Sequence, residues 1–140
     1  MSSRSLQDLV PTAQLKAEEF IELCDLNNID VLIYCTLRTY KEQDDLYELG
    51  RKKAGNIVTN ARGGYSWHNF GRAWDFVPLL SGKPQWNNPV LYRTCGLLAE
   101  SIGLEWAGRW TGSLKETAHI QFREGRSLEQ ERKIKNEKMD

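Results

Sequence analysis

Histidine is scarce in this chain, with only His68 and His119 among 140 residues. Cysteine is nearly as rare: Cys24, Cys35 and Cys95 are widely spaced and set in apolar stretches. An odd, dispersed count argues against a disulfide framework and against a cysteine-rich zinc site, and reads as buried reduced thiols. No apolar run approaches the roughly 20 residues needed to span a bilayer, and Met1 to Val10 contain no apolar export segment. The expectation is a protein made in the cytoplasm, with no signal peptide and no membrane insertion. Neither sign of charge dominates, because 19 Lys and Arg stand against 19 Asp and Glu. No global field then draws the chain to a polyanion, so nucleic acid is not an expected partner.

What is present fits one compact domain over residues 1–140, with a core at about 10–122 and a polar tail at about 127–140. Pro11 can open a helix that carries Leu15, Phe20, Leu23, Cys24 and Leu26 toward Asn27-Asn28. Ile29 to Leu37 is rich in Val, Ile, Tyr, Cys and Thr and reads as a buried strand. Thr39 with Glu42 forms a capping box for a helix running to about Leu49, ended by Gly50. From Arg51 to Tyr65 the composition turns to Lys, Gly, Asn and Arg, a surface loop of a length that is often functional. Ala73 to Leu79 reads as a strand, Asn88-Pro89 opens a helix with Leu91, Tyr92, Cys95, Leu98 and Ile102 on one face, and Ala118 to Phe122 reads as another strand. Glu129 to Asp140 is almost wholly charged or polar, a solvated helix or a frayed tail. The order is α+β. A monomer is expected, because no long apolar stripe is left unassigned.

Both histidines lie near carboxylates. His68 sits in Ser66-Trp67-His68-Asn69-Phe70-Gly71-Arg72-Ala73-Trp74-Asp75, and His119 in Glu116-Thr117-Ala118-His119. Two imidazoles and one carboxylate make three protein ligands for Zn²⁺ with a fourth position open, the pattern of a catalytic metal. Asp75 would otherwise be a carboxylate in an apolar strand, and a buried unpaired charge is expensive. Zinc held by His68, Asp75 and His119 would activate water and polarise a carbonyl, and Glu116, three residues before a ligand, is placed to shuttle the proton. Arg38, at the end of a strand, can donate to a developing oxyanion; Gln43 can support it, and Ser66 can hydrogen-bond near the metal. Each residue also has a plainer reading. A histidine beside a tryptophan is commonly structural, Glu116 could be a surface acid, and Arg38 could pair with Glu42, Asp44 or Asp45. The five tryptophans read as core or cleft lining, and Arg51-Lys52-Lys53 as a solvated loop.

The run Ser66, His68, Gly71, Ala73 and Asp75, followed by Glu116 and His119, resembles the zinc peptidases that include bacterial D-alanyl-D-alanine carboxypeptidases and phage L-alanyl-D-glutamate endopeptidases. The segments Leu37 to Tyr47 and Gly103 to Trp110 also resemble that family's Arg-containing segment and Trp-Gly-rich turn. Ala118, Ile120 and Arg109 depart from its usual residues without touching a ligand. The resemblance implies a small antiparallel sheet flanked by helices, like the hedgehog and D-Ala-D-Ala metallopeptidase domains. It assigns His68, Asp75 and His119 to zinc, Glu116 to proton transfer and Arg38 to substrate polarisation. It also implies the peptidoglycan stem peptide as partner, and a phage endolysin made in the host cytoplasm and acting on the wall after release. A D,D-carboxypeptidase or dipeptidase, a non-catalytic zinc module that binds wall peptide, and a metal-free structural domain are the alternative readings.

Overall fold

The computed structural model describes residues 2–112 and 115–139, so Asp140 of the expected tail lies outside the described residues. Pro11, with its backbone angle already fixed, starts helix α1 at Pro11–Leu26. The face that α1 buries matches the expected one only at Phe20 and Cys24. Ala13, Ala17, Phe20 and Cys24 point inward at i, i+4, i+7 and i+11, whereas Leu15 and Leu26 stay 65% and 72% exposed. The helical period wins over residue size, and the two alanines let the helix lie close against its neighbours.

Strand β1, Asp30–Cys35, runs antiparallel to the central strand β2, Ala73–Leu80. A turn through Ser81 and Gly82, both at positive φ, returns the chain as the two-residue β3, Lys83–Pro84, which sequence patterning did not foresee. Asn88 caps helix α3, Pro89–Ser101, by accepting from Leu91 N at 3.1 Å. The short strands β4, Glu105–Trp106, and β5, His119–Gln121, complete a sheet in the order β1-β2-β5-β4, with β3 beside β2. Every pairing is antiparallel, as the α+β reading expects. Phe20 of α1, Trp74 and Phe76 of β2 and Tyr92 of α3 meet in the core, with Phe76 stacked edge-on against Phe20 at 5.3 Å and tilted toward Tyr92 at 5.4 Å.

Helix α2, Tyr40–Glu48, begins at the expected box: Thr39 Oγ1 accepts from Glu42 N at 3.1 Å, and Glu42 Oε1 accepts from Thr39 N at 2.8 Å. The final helix, α4 at Leu128–Met139, bears out the helical alternative for the tail over the frayed one, but it is anchored rather than merely solvated. Glu131 is buried and pairs with Arg72 at 3.0 Å and with Arg126. Arg132 donates to Gly64 O at 2.9 Å and lies 4.1 Å over the Tyr65 ring, while Lys135 lies 4.2 Å over Tyr40. This helix docks through charge and cation–π contacts, so a search for an apolar stripe does not find it.

The Trp-Gly-rich turn has a packing reason. The indole of Trp106 lies between Gly96 of α3 and Gly108; a Cβ at either glycine would come within 2.1 Å of the ring. Its Nε1 donates to Thr117 O at 2.8 Å, which fixes the segment leading to His119. Gly96→Ala is therefore expected to displace the indole and cost about 1–3 kcal/mol of stability, the range for overpacking a filled core, as measured by urea unfolding. An unchanged midpoint would show that the slot is not tight.

Candidate active site

The strands bring three distant residues into one row. Asp75 on β2 faces His119 of β5 on one side and Cys35 of β1 on the other, with a register irregularity between Ile33 and Cys35. His68 arrives from a 3-10 turn, Trp67–Phe70, just before β2. Ser66 Oγ accepts from His68 N at 3.3 Å, and Asn69 Oδ1 accepts from Ser66 N at 3.3 Å and Gly64 N at 3.0 Å. Gly71 ends the turn in the left-handed region at φ 67°, where a Cβ would meet Asp8 O at 3.0 Å. The glycine of the motif thus has a local cause, and so does its serine, whose hydroxyl caps the turn at the rim of the cleft.

Asp75 Oδ1 lies 3.1 Å from His68 Nε2 and 3.5 Å from His119 Nδ1. The opposite ring atoms are otherwise engaged: His68 Nδ1 donates to Thr36 O at 2.8 Å, and His119 Nε2 donates to Gln121 Oε1 at 2.9 Å. His119 Nδ1 is buried without a hydrogen-bond partner. Such an orphan is costly unless something binds its lone pair. Two imidazole nitrogens and a carboxylate oxygen converging in this way fit a divalent metal such as zinc. Cys35 offers another third donor, and Cys35, His68 and Asp75 are the group among the described residues whose ligand atoms all lie within 4.8 Å of one another, a group that does not include His119. The Cys35 Sγ, however, sits 3.7 Å from His68 Nδ1, the ring atom already committed to Thr36, and accepts from Arg38 at 3.2 Å. The His–Asp–His set leaves an otherwise orphaned atom satisfied and is the better fit.

Without metal the same groups share charge. Burial opposes ionising Asp75, but His68 and His119 outweigh it and hold the carboxyl well below the usual range. Burial likewise opposes charging His68, yet Asp75 and then Cys35 raise its pKa to about 10. For Cys35 burial pushes upward, and its contact with His68 turns the net shift downward.

Arg38 is joined to this centre. It lies 3.9 Å from Asp75 Oδ2 and donates to Gln43 Oε1 at 2.9 Å and to Ser2 Oγ at 3.0 Å, so among the described residues its carboxylate partner is Asp75 rather than the Glu42, Asp44 or Asp45 that sequence left open. Gln43, fully buried, also donates to Ala61 O at 2.8 Å, so it ties Arg38 to the loop as well as supporting it. Glu116 is half-exposed, with its carboxylate 3.8 Å from His119 Nδ1. Arg38, Ser66, His68, Asp75, Glu116 and His119 border a cleft of about 570 Å³ walled by Tyr65, Trp67, Trp110 and the 58–61 loop. Trp74 and Trp106 belong to the core instead, and Lys53 of the basic loop pairs with Asp45 and Glu48. Sequence reasoning passed over Asn69, Gln121 and the approach of Cys35. The Ser-x-x-Asn spacing could have revealed Asn69; nothing local marks the other two.

Residues 59–122 match the family model described as D-alanyl-D-alanine carboxypeptidase. The chain is 36% identical over 130 residues to the peptidoglycan L-alanyl-D-glutamate endopeptidase CwlK of Bacillus subtilis, covering 82% of this chain and 74% of that one. It is 31% identical over 129 residues to the L-alanyl-D-glutamate peptidase of Listeria phage A118, covering 86% of this chain and 41% of the phage protein. Its fold is similar to that of a variant of the vancomycin-resistance D,D-pentapeptidase VanY in complex with Zn(II), at a TM-score of 0.62 and 15% identity, covering 90% of this chain and 77% of that one.

In metal-free protein, Asp75→Asn should lower the His68 pKa well below about 10, because burial is then opposed only by the contact with Cys35. An NMR pH titration reads this directly, and a value still near 10 would mean that another anion holds the proton.

Proposed function

This chain belongs to the D-alanyl-D-alanine carboxypeptidase family of peptidases, and from that footing we propose that it is a zinc-dependent endopeptidase cleaving the L-alanyl-D-glutamate bond of the peptidoglycan stem peptide. Its relatives support the broader statement, a peptidoglycan hydrolase. The observation that carries the metal is the convergence of His68 Nε2, Asp75 Oδ1 and His119 Nδ1, the last buried and unpartnered, at the floor of a cleft. A lysis enzyme of phage origin is the finer reading proposed, and the phage source of the Listeria relative agrees with its phage part.

His68, Asp75 and His119 would hold the zinc. When bound, it supplies Lewis acidity toward the scissile carbonyl and lowers the pKa of water toward about 7. Glu116 stands beside His119 and is open to solvent, so it can take a proton from the attacking water. It returns that proton to the departing amine of D-glutamate as the C–N bond breaks. Arg38, fixed by Gln43 and Ser2, presents its guanidinium to the cleft and can donate to the carbonyl oxygen as negative charge grows there. Tyr65, Trp67 and Trp110 give the cleft flat apolar walls that can hold an extended peptide and limit water.

Digestion of purified peptidoglycan, with and without chelator, tests the scissile bond. A new amine on D-glutamate, seen by mass spectrometry and lost on chelation, is the expected product; release of terminal D-alanine would transfer the protein to the carboxypeptidases. His68→Ala, Asp75→Ala and His119→Ala should each lose zinc. Glu116→Gln should keep stoichiometric zinc and lose turnover by about a hundred- to ten-thousand-fold, the usual contribution of a general base. Near-normal hydrolysis by that variant would remove Glu116 from the reaction.

A further inference from the structure

Gln121 is polar and only 4% exposed, yet no step of the reaction above uses it. It follows His119 by two residues on β5, so both side chains leave the same face of the strand. Its Oε1 accepts from His119 Nε2 at 2.9 Å, and its Nε2 faces Glu105 Oε2 at 3.5 Å. Glu105 is its register partner on β4, and Arg123 Nε holds the other oxygen of that carboxylate at 2.5 Å.

We propose that Gln121 is a positioning residue whose amide, oriented by Glu105, fixes the His119 tautomer and so aims the Nδ1 lone pair at the metal. The inference rests on the zinc reading of the site. An ionised carboxylate only accepts hydrogen bonds, so Glu105 selects the NH₂ end of the amide. The reversed amide would set its oxygen against that carboxylate, a repulsion felt even at 3.5 Å. The end of Gln121 that meets His119 is then a pure acceptor, so Nε2 must carry the hydrogen. A singly protonated imidazole has its lone pair on the other nitrogen, and Nδ1 is the buried atom without a partner. His68 is set in the opposite sense: the Thr36 carbonyl, also a pure acceptor, takes the Nδ1 hydrogen and leaves Nε2 toward Asp75. Two acceptors, the Thr36 carbonyl just past β1 and the Gln121 amide on β5, thus select opposite tautomers in the chain's two histidines. Partners of this kind orient a ligand and raise its basicity, and their loss weakens metal binding by about ten- to a hundred-fold.

Two measurements on the full chain decide it. Zinc affinity is read by competition with a chromophoric chelator, and the tautomers are read from ¹⁵N-labelled histidine spectra, which contain only two rings. The expected wild-type spectrum has hydrogen on Nε2 of His119, both with zinc and without it at a pH where that ring carries one hydrogen. Gln121→Leu should bind zinc about ten- to a hundred-fold more weakly and show mixed tautomers in its metal-free form. Gln121→Glu made together with Glu105→Gln keeps an acceptor toward His119 without opposing two carboxylates, and should bind at least as tightly as wild type. Glu105→Gln, at a half-exposed position, should loosen the amide and weaken binding by a smaller factor, which supplies an independent reading if Gln121→Leu fails to fold. A hydrogen on Nδ1 of wild-type His119, wild-type affinity in Gln121→Leu, or equal losses in Gln121→Leu and the double variant would overturn the proposal. If wild-type protein binds no zinc, the metal reading falls, while the metal-free spectra of wild type and variants still decide whether Gln121 sets the tautomer.

Discussion

A carboxylate in the middle strand of a packed sheet is the demand around which the rest is arranged. Asp75 has Trp74 and Phe76 on either side of it in sequence, both fully buried, so water supplies little of the solvation its charge requires. Neighbouring segments supply it instead: His68 from the turn before the strand, His119 from β5, and Arg38 from the end of β1. In the metal-free state a shared proton meets the demand, which is why the carboxyl and the imidazole shift in opposite directions. A divalent cation bound here would replace that proton with a larger charge and would also occupy the orphaned nitrogen of His119. Fold and chemistry meet at this point, because the polar cluster is tolerable inside the protein for the same reason that it can hold a metal.

Around that cluster the scaffold works by fixing backbone. Trp106 fits into a slot that two glycines leave open and fastens the residues leading to His119, while Gln43 binds the outer loop to Arg38. Helix α4 reaches the same region from the far end of the chain through Arg132, which grips Gly64 and covers Tyr65. Tyr65 is also a wall of the cleft. The residues that would touch substrate are thus backed by contacts from three separate helices.

The sequence made some of this legible because some signals are local. The box at Thr39 and Glu42, the proline that opens α1 and the capped start of α3 each depend on residues within one turn, and all appear where expected. His68, Asp75 and His119 are read as a set from their residue types and motif, and the structure places Asp75 Oδ1 3.1 Å from His68 Nε2 and 3.5 Å from His119 Nδ1. Other features depend on partners far away in sequence. The buried face of α1 keeps Phe20 and Cys24 from the expected set but is completed by Ala13 and Ala17, since what faces it is close, so a search for large apolar residues found only half of it. Helix α4 has no apolar face to find, because its anchors are a buried glutamate and cations over aromatic rings. Gln121 gains its meaning from Glu105 across a strand pair, and no spacing rule points to it.

The row formed by Cys35, Asp75 and His119 also says where this chain can change its length. Side chains alternate along a strand, so one residue gained or lost between Gly71 and Asp75, or between Thr117 and His119, would turn a donor to the opposite face of the sheet. Insertions there are all-or-nothing. The stretch from Arg51 to Arg62, which forms part of the cleft rim outside the sheet, has no such parity to keep. Natural or designed diversity in what the cleft accepts can therefore accumulate in the length of that loop while the spacing of the donors stays fixed.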